Sequence, residues 1–225
     1  MEREIAIVTG ASGNLGSAVV KRFLEDGYTV IGVAHKKSDI DFDNPNYEEV
    51  ILDLSDEELS QKAVAAIIEK YQAIHILVST AGGFAMGNIG STTTGDILQQ
   101  IQLNFVTAYN IARSVFLQMM KQNKGRIFLT GSQAGQNTSH AKGTTAYGLS
   151  KSLLFDLAKI LNAESKGKNV VTAMIVPAII DTPQNRKSMP DSDFSHWTTP
   201  EKIADVIHFY SSDEASVIRE PVINF

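Results

Sequence analysis

The sequence reads Thr9-Gly10-Ala11-Ser12-Gly13-Asn14-Leu15-Gly16 directly after a short apolar run at residues 5–8. A helical pattern follows, because Leu15, Val19 and Phe23 recur at the spacing of one helix face. Glycines at positions 10, 13 and 16 allow the chain to turn tightly and to approach a ligand closely at a helix amino terminus. The motif predicts a turn that binds the pyrophosphate of a dinucleotide; the alternative is a turn that serves only close helix–strand packing.

Strand-like and helix-like segments alternate along the rest of the chain. Strands are predicted at residues 28–33, 50–52, 74–78, 126–130, 170–176 and, at the sheet edge, 217–225. Helices are predicted at residues 55–71, 95–120, 144–164 and 199–210, with a bend in the second of these. Val- and Ile-rich strands between amphipathic helices are typical of a parallel sheet covered on both faces. We therefore expect an α/β, Rossmann-type doubly wound parallel sheet, a single domain over residues 1–225.

Two local features refine this expectation. Ser55 and Glu58 have the spacing of a capping box, so Ser55 is expected to begin the helix at residues 55–71. Residues 81–94, 133–143 and 181–198 fit neither the strand nor the helix pattern, and the first two follow strands directly. Loops after the carboxyl ends of parallel strands build ligand sites, so we expect the functional residues there.

The composition excludes several classes of function. The 225 residues include no cysteine, which rules out disulfides, thiolate nucleophiles and cysteine-ligated metals. No two of the five histidines have metal-binding helical spacing, so no metal site is predicted. The net charge of −5 predicts no general attraction to nucleic acid or to an anionic membrane. No apolar stretch is long enough to span a bilayer and the start lacks signal-peptide features, so a cytoplasmic location is expected.

The end of the second predicted strand bears on the cofactor. Val33 is followed by Ala34-His35-Lys36-Lys37, which supplies cations where many dinucleotide-binding domains have a carboxylate for the adenosine ribose. Cations there would attract a ribose 2′-phosphate, so NADP(H) is predicted in preference to NAD(H). The alternative is that Lys36 and Lys37 are solvated loop charges. Asp53, just past the third strand, is a candidate acceptor for the adenine amine or a cap for the next helix.

Further motifs follow in a characteristic order. They are Ser79-Thr80-Ala81-Gly82, the isolated Asn104, Thr130-Gly131-Ser132-Gln133-Ala134-Gly135, Tyr147-Gly148-Leu149-Ser150-Lys151 and the segment from Pro177 to Thr182. In this order the sequence resembles the short-chain dehydrogenase/reductase superfamily over essentially its whole length. The resemblance implies an NAD(P)-dependent oxidoreductase with catalytic residues Tyr147, Lys151, Ser132 and Asn104. The cofactor would contact Gly10, Ser12, Gly13, Asn14, Leu15, Gly16, His35, Lys36, Asp53, Ala81, Gly82, Pro177 and Thr182.

The chemistry of Tyr147 and Lys151 agrees with that resemblance. The two residues are four apart and therefore lie on one helix face. A nearby ammonium lowers the pKa of a phenol from its usual value of about 10, which makes Tyr147 a usable general acid or base. Ser132 would bond the developing oxyanion. By resemblance, Lys151 would hold the nicotinamide ribose and Asn104 would secure a water that relays protons to Lys151. The alternatives are an ordinary exposed Tyr/Lys pair and a helix-kink or core polar role for Asn104.

Two positions depart from the family pattern. Asn14 stands where many relatives have a glycine, and Ala178 replaces the glycine of the nicotinamide loop. Ser132 lies 15 residues before Tyr147, farther than is usual, which predicts a short insertion within residues 136–143. Other hydroxyls that could take the place of Ser132 are Ser139, Thr144 and Thr145.

The loop at residues 181–198 looks like that of quinonoid dihydropteridine reductases, as do Ala81–Phe84 and Gly87-Asn88. Those reductases lack the catalytic serine and prefer NADH, whereas this chain has Ser132 and the basic run after Val33. Aromatic and apolar side chains in these loops predict a small, flat or moderately apolar substrate. The predicted substrate contacts are Phe84, Met189, Phe194 and Trp197, with Met86 beside them. Alternatively, Phe194 and Trp197 only dock the loop onto the body of the domain.

These features together predict an oxidoreductase that transfers hydride between NADP(H) and a small carbonyl or quinonoid substrate. One alternative is a dihydropteridine reductase-like enzyme that uses a quinonoid dihydropterin. Another is a non-catalytic dinucleotide-binding regulatory module. In the family, helices equivalent to residues 95–120 and 144–164 form symmetric interfaces, so a homodimer or homotetramer is expected. The apolar residues there could serve either the core or a partner: Phe105, Val106, Phe116, Leu153, Leu154, Phe155 and Leu157.

Overall fold

The described strands all run parallel within one sheet. A computed structural model describes residues 3–37, 40 and 42–225, so residues 1, 2, 38, 39 and 41 of the predicted domain lie outside it. The strands are β1 (Ile5–Thr9), β2 (Thr29–Ala34), β3 (Tyr47–Ile51), β4 (Ile76–Ser79), β5 (Lys124–Thr130), β6 (Asn169–Val176) and β7 (Val222–Asn224). They are arranged in the order β3-β2-β1-β4-β5-β6-β7. This order confirms the predicted single-domain, doubly wound α/β fold.

Helices cover both faces of this sheet. They are α1 (Asn14–Glu25), α2 (Glu57–Tyr71), α3 (Thr94–Ile101), α4 (Thr107–Gln122), α5 (Gln133–Gln136), α6 (Thr145–Glu164), α7 (Pro183–Ser188) and α8 (Pro200–Ser211). One core lies between the sheet and α2, α4 and α6, and contains Ile127 and Leu129. The other lies against α1 and α8, and contains Phe128 and Phe23. Adjacent residues of β5 thus enter opposite cores, which explains why the inner strands are continuously apolar.

Successive strands are added to opposite edges of the sheet before and after the connection to β4. The strands β2 and β3 are added on one side of β1, and β4 to β7 are added on the other. Thr9 at the end of β1 pairs in register with Ser79 at the end of β4. The loops after these two strands leave in different directions and open a crevice between them. The sheet topology therefore places a ligand site beside the glycine motif that follows Thr9.

The long helix predicted at residues 95–120 is bent, as expected. A π-helical turn, Gln102–Val106, separates α3 from α4 and contains Asn104. Such a wide turn displaces the hydrogen-bonding pattern by one residue and is often found at functional sites. The bend therefore marks the position of Asn104 within the helix.

Three predicted boundaries differ from the structure. Asp56, and not Ser55, caps α2, because its carboxylate accepts a hydrogen bond of 2.9 Å from the amide of Leu59. The strand β3 begins at Tyr47, three residues before the predicted start. Its early residues are polar because it is an edge strand, where Glu48 reaches solvent and accepts from Lys70 and Tyr71. The last strand is shorter than predicted and spans only Val222–Asn224.

The described residues contain neither a membrane-spanning helix nor a cluster of metal ligands. None of their helices is both long and apolar enough to cross a membrane. Their His, Asp and Glu side chains form no group that could hold a metal ion.

Candidate active site

The glycine turn after β1 leaves no room for side chains. Gly10 has a φ of +67°, and a Cβ on it would lie 2.9 Å from the amide nitrogen of Ala81. A Cβ on Gly16 would lie only 2.1 Å from the carbonyl oxygen of Gly10. These approaches hold the start of α1 against the ends of β1 and β4, so both positions require glycine.

The amino terminus of α1 suits an anion. Gly13 is the N-cap residue and brings no side-chain cap, so the first amides of the helix receive no side-chain acceptor. The first turn of the helix contains no acidic residue either. Free amides and the positive end of the helix dipole together favour a phosphate group. The residues of this turn therefore fit a dinucleotide pyrophosphate.

A cleft of about 640 Å³ begins at this turn and follows the carboxyl ends of β1, β2 and β4. It brings together many of the predicted cofactor residues: Gly10, Ser12, Gly13, His35, Asp53, Ala81 and Gly82. Other predicted contacts do not line it: Asn14, Leu15, Gly16, Lys36, Pro177 and Thr182. Leu15 is buried in the core beside α1, Gly16 packs on Gly10, and the Thr182 hydroxyl caps α7 by accepting from the amide of Asn185.

The residues that form the far wall of the cleft were not predicted from the sequence. Part of this wall comes from the loop after β3, and part comes from the bent helix that carries Asn104. The missed lining residues are Val33, Leu52, Leu54, Ser55, Thr80, Gln99, Gln102, Leu103 and Thr107. Thr80 adjoins the recognised Ala81-Gly82 motif, so its position was a usable signal. The helix residues carried no local signal, because only the packing of α3 against α6 brings them to the cleft.

The adenosine end of the cleft contains His35 and Asp53. The Asp53 carboxylate accepts from the amide of Ser55 at 2.9 Å. This backbone hydrogen bond, with a smaller contribution from His35, lowers the pKa of Asp53 below its usual range. Asp53 is thus an anion that bonds the loop before α2, and it does not cap that helix. Lys36 and Lys37 are exposed, and neither forms an ion pair with any residue the structure describes.

Tyr147 and Lys151 lie together on α6, at the end of the cleft. The Lys151 ammonium nitrogen is 6.0 Å from the centre of the Tyr147 ring and donates to the carbonyl oxygen of Thr130 at 2.7 Å. The same nitrogen would lie 3.5 Å from a Cβ placed on Gly82, which lines the cleft. The structure therefore brings the phenol, the amine and the dinucleotide cleft to one place.

Ser132 lies beside Tyr147, although the two residues are farther apart in the sequence than is usual in the family. It ends the loop after β5, its hydroxyl accepts from the amide of Gly135, and it is close enough to Tyr147 to oppose in part the rise in the pKa of that phenol. Gly135 permits the approach, since a Cβ on it would lie 2.7 Å from the backbone of Lys151. The additional residues between Ser132 and Tyr147 form α5 and a 3₁₀ turn, Thr138–Ala141.

The alternative hydroxyls are placed elsewhere. Ser139 and Thr145 line a separate shallow cleft with Ile89 and Leu149. The hydroxyl of Thr144 is buried and has no hydrogen-bond partner among the described residues. Ser132 is therefore the hydroxyl that the fold presents to Tyr147.

Burial controls the protonation of the pair. It raises the pKa of Tyr147, and the hydrogen bond from Ser132 opposes this effect only in part. Burial lowers the pKa of Lys151 to about 8. The predicted lowering of the Tyr147 pKa by Lys151 is not found, because the amine bonds the Thr130 carbonyl instead of the phenol oxygen. Tyr147 is thus a protonated phenol at neutral pH, which is the form of a proton donor.

Asn104 is completely buried and its side-chain amide bonds only protein groups. Its oxygen accepts from the amide of Gly83 at 3.0 Å. Its nitrogen lies within 3.1 Å of the carbonyl of Gly83 and of the side chains of Gln100 and Ser150. Ser150 in turn donates to the carbonyl of Tyr147. The amide of Asn104 therefore joins the loop after β4 to the helix that carries Tyr147.

The predicted substrate residues fall into two groups. The Phe84 ring contacts Tyr147 edge-to-face, with 5.0 Å between centroids, and remains 63% exposed. Phe194 and Trp197 contact each other at 4.7 Å, and neither ring contacts Phe84 or Tyr147. Met189 is half-buried just after α7. Phe84 thus lies at the chemical centre, whereas the other predicted contacts belong to the loop after β6.

The fold and this cleft define a nicotinamide dinucleotide-dependent oxidoreductase. Residues 4–193 match the family model described as short chain dehydrogenase, and the chain belongs to that family. The chain is 32% identical to the dihydropteridine reductase of Dictyostelium discoideum, over 93% of this chain and 88% of that protein. It is 26% identical to the 3-oxoacyl-[acyl-carrier-protein] reductase FabG of Thermotoga maritima, over 99% of this chain and 96% of that protein.

Solved structures agree with this assignment. The crystal structure of gox2181 superposes with a TM-score of 0.90 at 25% identity, over 100% of this chain and 94% of that one. The aldohexose dehydrogenase of Thermoplasma acidophilum superposes with a TM-score of 0.87 at 25% identity, over 99% of this chain and 92% of that one. The chain is therefore an NAD(P)-dependent oxidoreductase of the short-chain dehydrogenase type.

The buried amine of Lys151 makes stability depend on pH in the alkaline range. Its pKa is about 8 in the folded protein and near 10.5 when the chain unfolds. Between these values the unfolded state binds more protons, so the stability contribution of Lys151 rises with pH. We expect the stability of the unaltered protein relative to Lys151→Met to increase by about 2 kcal/mol from pH 7 to pH 10. Urea unfolding of nucleotide-stripped protein measures this difference.

Lys159→Met is the control for this measurement, because Lys159 is exposed on the same helix. Its stability difference from the unaltered protein should change little with pH. A Lys151→Met difference that is equally flat between pH 7 and pH 10 would contradict the assignment of the buried amine.

Proposed function

We propose that this protein is an NADP(H)-dependent reductase of a small carbonyl or quinonoid substrate, with Tyr147 as the general acid. The observation that carries the proposal is the convergence of Tyr147, Ser132 and Lys151 next to Gly82, at the end of the glycine-lined cleft. The nicotinamide cofactor, when bound, supplies the hydride. The residues of this chain then have to orient the substrate and move one proton.

Each residue has a distinct part in this proposal. Tyr147 donates its phenolic proton to the substrate atom that becomes negatively charged. Ser132, beside Tyr147, donates its one hydroxyl proton in a hydrogen bond to the same developing oxyanion. Lys151 is aimed at Gly82, where it can bond the nicotinamide ribose and return a proton towards Tyr147. Asn104 holds the loop after β4 in place against α6, through its hydrogen bonds with Gly83 and Ser150.

Removal of the phenolic hydroxyl tests this assignment. We expect Tyr147→Phe to lower kcat by about 10²- to 10⁴-fold, the usual contribution of general acid catalysis. The Kd for the nucleotide should change little, because the ring and its contact with Phe84 are retained. Tyr109→Phe, at an exposed position of α4, is the matched control and should keep full activity. An unchanged kcat for Tyr147→Phe would refute the role of Tyr147.

The preference for NADP(H) rests on the end of β2. No carboxylate follows Val33, His35 lines the cleft, and Lys36 is an exposed cation without an ion pair to any described residue. A ribose 2′-phosphate gains a charge-assisted contact at this position, whereas a bare ribose diol would need an acceptor. Lys37, which follows Lys36, adds to the positive potential at the end of β2.

Cofactor affinity should respond selectively to Lys36. We expect Lys36→Ala to raise the Kd for NADPH by about 5- to 20-fold and to leave the Kd for NADH nearly unchanged. The NADPH affinity should also fall with added salt, because an exposed charge pair is screened. Lys21→Ala, an exposed cation of α1, is the control. Equal Kd values for NADPH and NADH in the unaltered protein would remove the preference.

The substrate class follows from the wall beside Tyr147. The exposed Phe84 ring offers a flat apolar face at the phenol, and Met86 beside it is also exposed. Such a surface suits a small, flat or moderately apolar carbonyl compound. A quinonoid dihydropterin is the second candidate, supported by the 32% identity to the dihydropteridine reductase of D. discoideum.

A panel of acceptors separates these substrates. Aldehydes, ketones, quinones and chemically generated quinonoid dihydropterin are each offered with NADPH, and its oxidation is followed by absorbance. We expect turnover of carbonyl or quinonoid acceptors that is lost in Tyr147→Phe. Robust carbonyl reduction without pterin turnover would exclude the dihydropterin. Nucleotide binding without hydride transfer to any acceptor would instead favour a non-catalytic regulatory module.

A homodimer or homotetramer is also proposed. Of the apolar residues expected at an interface, Phe116, Leu154 and Leu157 are buried in the core of this chain. The same helices expose other large apolar side chains: Leu98, Tyr109, Leu117, Leu149 and Ile160. Contiguous apolar exposure on neighbouring helices is typical of surfaces that bind a second subunit.

A further inference from the structure

The loop at residues 181–198 is ordered without a hydrophobic core of its own. Not one of residues 183–199 is fully buried, and the apolar Met189, Phe194 and Trp197 are only half-buried. Its ends are joined by a bridge between Ile180 and Thr198, and the amide of Asp181 donates to the Thr198 carbonyl at 2.9 Å. Within the loop, polar and aromatic contacts must therefore determine the positions of the side chains.

The strongest of these contacts joins Asp181 and Arg186. The Arg186 guanidinium donates two hydrogen bonds to the carboxylate of Asp181, at 2.6 and 2.7 Å. The Asp181 side chain is 14% exposed, whereas that of Arg186 is 51% exposed. A bidentate arginine–carboxylate pair is both stronger and more directional than a single exposed ion pair. The hydrogen bonds from Arg186 accordingly lower the pKa of Asp181.

The same guanidinium extends the contact to the aromatic residues. It lies 4.8 Å from the centre of the Phe194 ring, and Phe194 packs on Trp197 at 4.7 Å. Trp197 is covalently followed by Thr198, whose carbonyl bonds the amide of Asp181. The contacts thus form a closed circuit that starts and ends at Asp181. We call this circuit of Asp181, Arg186, Phe194 and Trp197 the lid clamp.

We propose that Arg186 is a positioning residue for the substrate: it binds Asp181 and lies over the Phe194 ring, and thereby presets the place of Trp197 in the loop after β6. This inference rests on the proposed function and on the substrate contact that the sequence predicts for Trp197. The Arg186 guanidinium contacts Asp181 and the Phe194 ring, and it contacts none of the reacting groups. Its effect on the substrate passes through the aromatic pair.

Lysine could not replace arginine in this circuit. A lysine ammonium can pair with Asp181 as a point charge, but it lacks the planar fork for two parallel hydrogen bonds. It also lacks the flat guanidinium that stacks on the Phe194 ring. The geometry therefore requires arginine at position 186 and not merely a positive charge.

The chain contains one tryptophan, Trp197, so its fluorescence reports the lid clamp directly. Arg186→Met, Arg186→Lys and the control Lys187→Met are compared as full-length protein with the oxidised nucleotide bound. Lys187 is the exposed neighbour of Arg186 on α7. Acrylamide quenching of Trp197 measures its accessibility, and KM and kcat are measured for the best acceptor of the panel. Quenching requires no turnover and so tests the clamp independently of the proposed activity.

We expect Arg186→Met to raise the quenching constant by about twofold or more, since the cation–π contact and the bidentate pair are both lost. KM should rise about 5- to 30-fold while kcat at saturation changes less than about threefold, because the catalytic groups are untouched. Arg186→Lys should resemble Arg186→Met, and Lys187→Met should resemble the unaltered protein. Asp181→Asn combined with Arg186→Met should add little to either single change.

Two results would overturn the inference. Equal quenching in Arg186→Met and Lys187→Met would show that the clamp does not hold Trp197. Increased quenching with an unchanged KM would show that the place of Trp197 does not matter to the substrate. An unaltered enzyme that reduces no acceptor contradicts the proposed function separately, and the quenching comparison then still decides whether the clamp exists.

Discussion

The backbone of Gly10 lies between Gly16 on one side and Ala81 on the other, with no space for a side chain at the contact. This close approach joins the end of β1, the start of α1 and the end of β4 at one point. The amides of α1 can face an anion only because the turn is this tight, and Ala81-Gly82 can form the floor of the cleft only because β4 ends beside it. The position of the cofactor cleft thus depends on a steric constraint of the backbone.

Two buried polar side chains, those of Asn104 and Lys151, link the loop after β4 to the helix that contains Tyr147. Asn104 joins Gly83 of the cleft floor to Ser150 of α6, and Lys151 of the same helix lies beside Gly82. The π-helical turn that contains Asn104 directs its amide inwards, where protein groups satisfy it completely. Buried amides of this kind are costly unless fully bonded, so the loop after β4 and α6 have one favourable relative position. Tyr147 is aligned with the cleft as a consequence.

The loop after β6 follows a different physical principle. The body of the domain is fixed by two apolar cores, whereas this loop has no fully buried residue after Thr182 and relies on a charge-assisted pair and on a tilted pair of aromatic rings. Contacts of this kind are individually modest and are easily exchanged for contacts with a ligand. The shape of this loop therefore depends on the whole circuit of contacts, whereas Tyr147 and Lys151 are held by the body of the domain.

The sequence by itself determined the sheet class, the glycine turn and the pairing of Tyr147 with Lys151, because each depends on local periodicity or on residues within one helical turn. It could not determine that Ser132 reaches Tyr147, since the chain between them folds into two short helical turns whose packing depends on Gly135. It gave the wrong direction for the pKa of Tyr147 because burial raises that pKa and the Lys151 amine bonds the Thr130 carbonyl, and only tertiary packing decides both. The cleft wall from α3 and the lid clamp were likewise decided by contacts between elements that sequence periodicity does not relate.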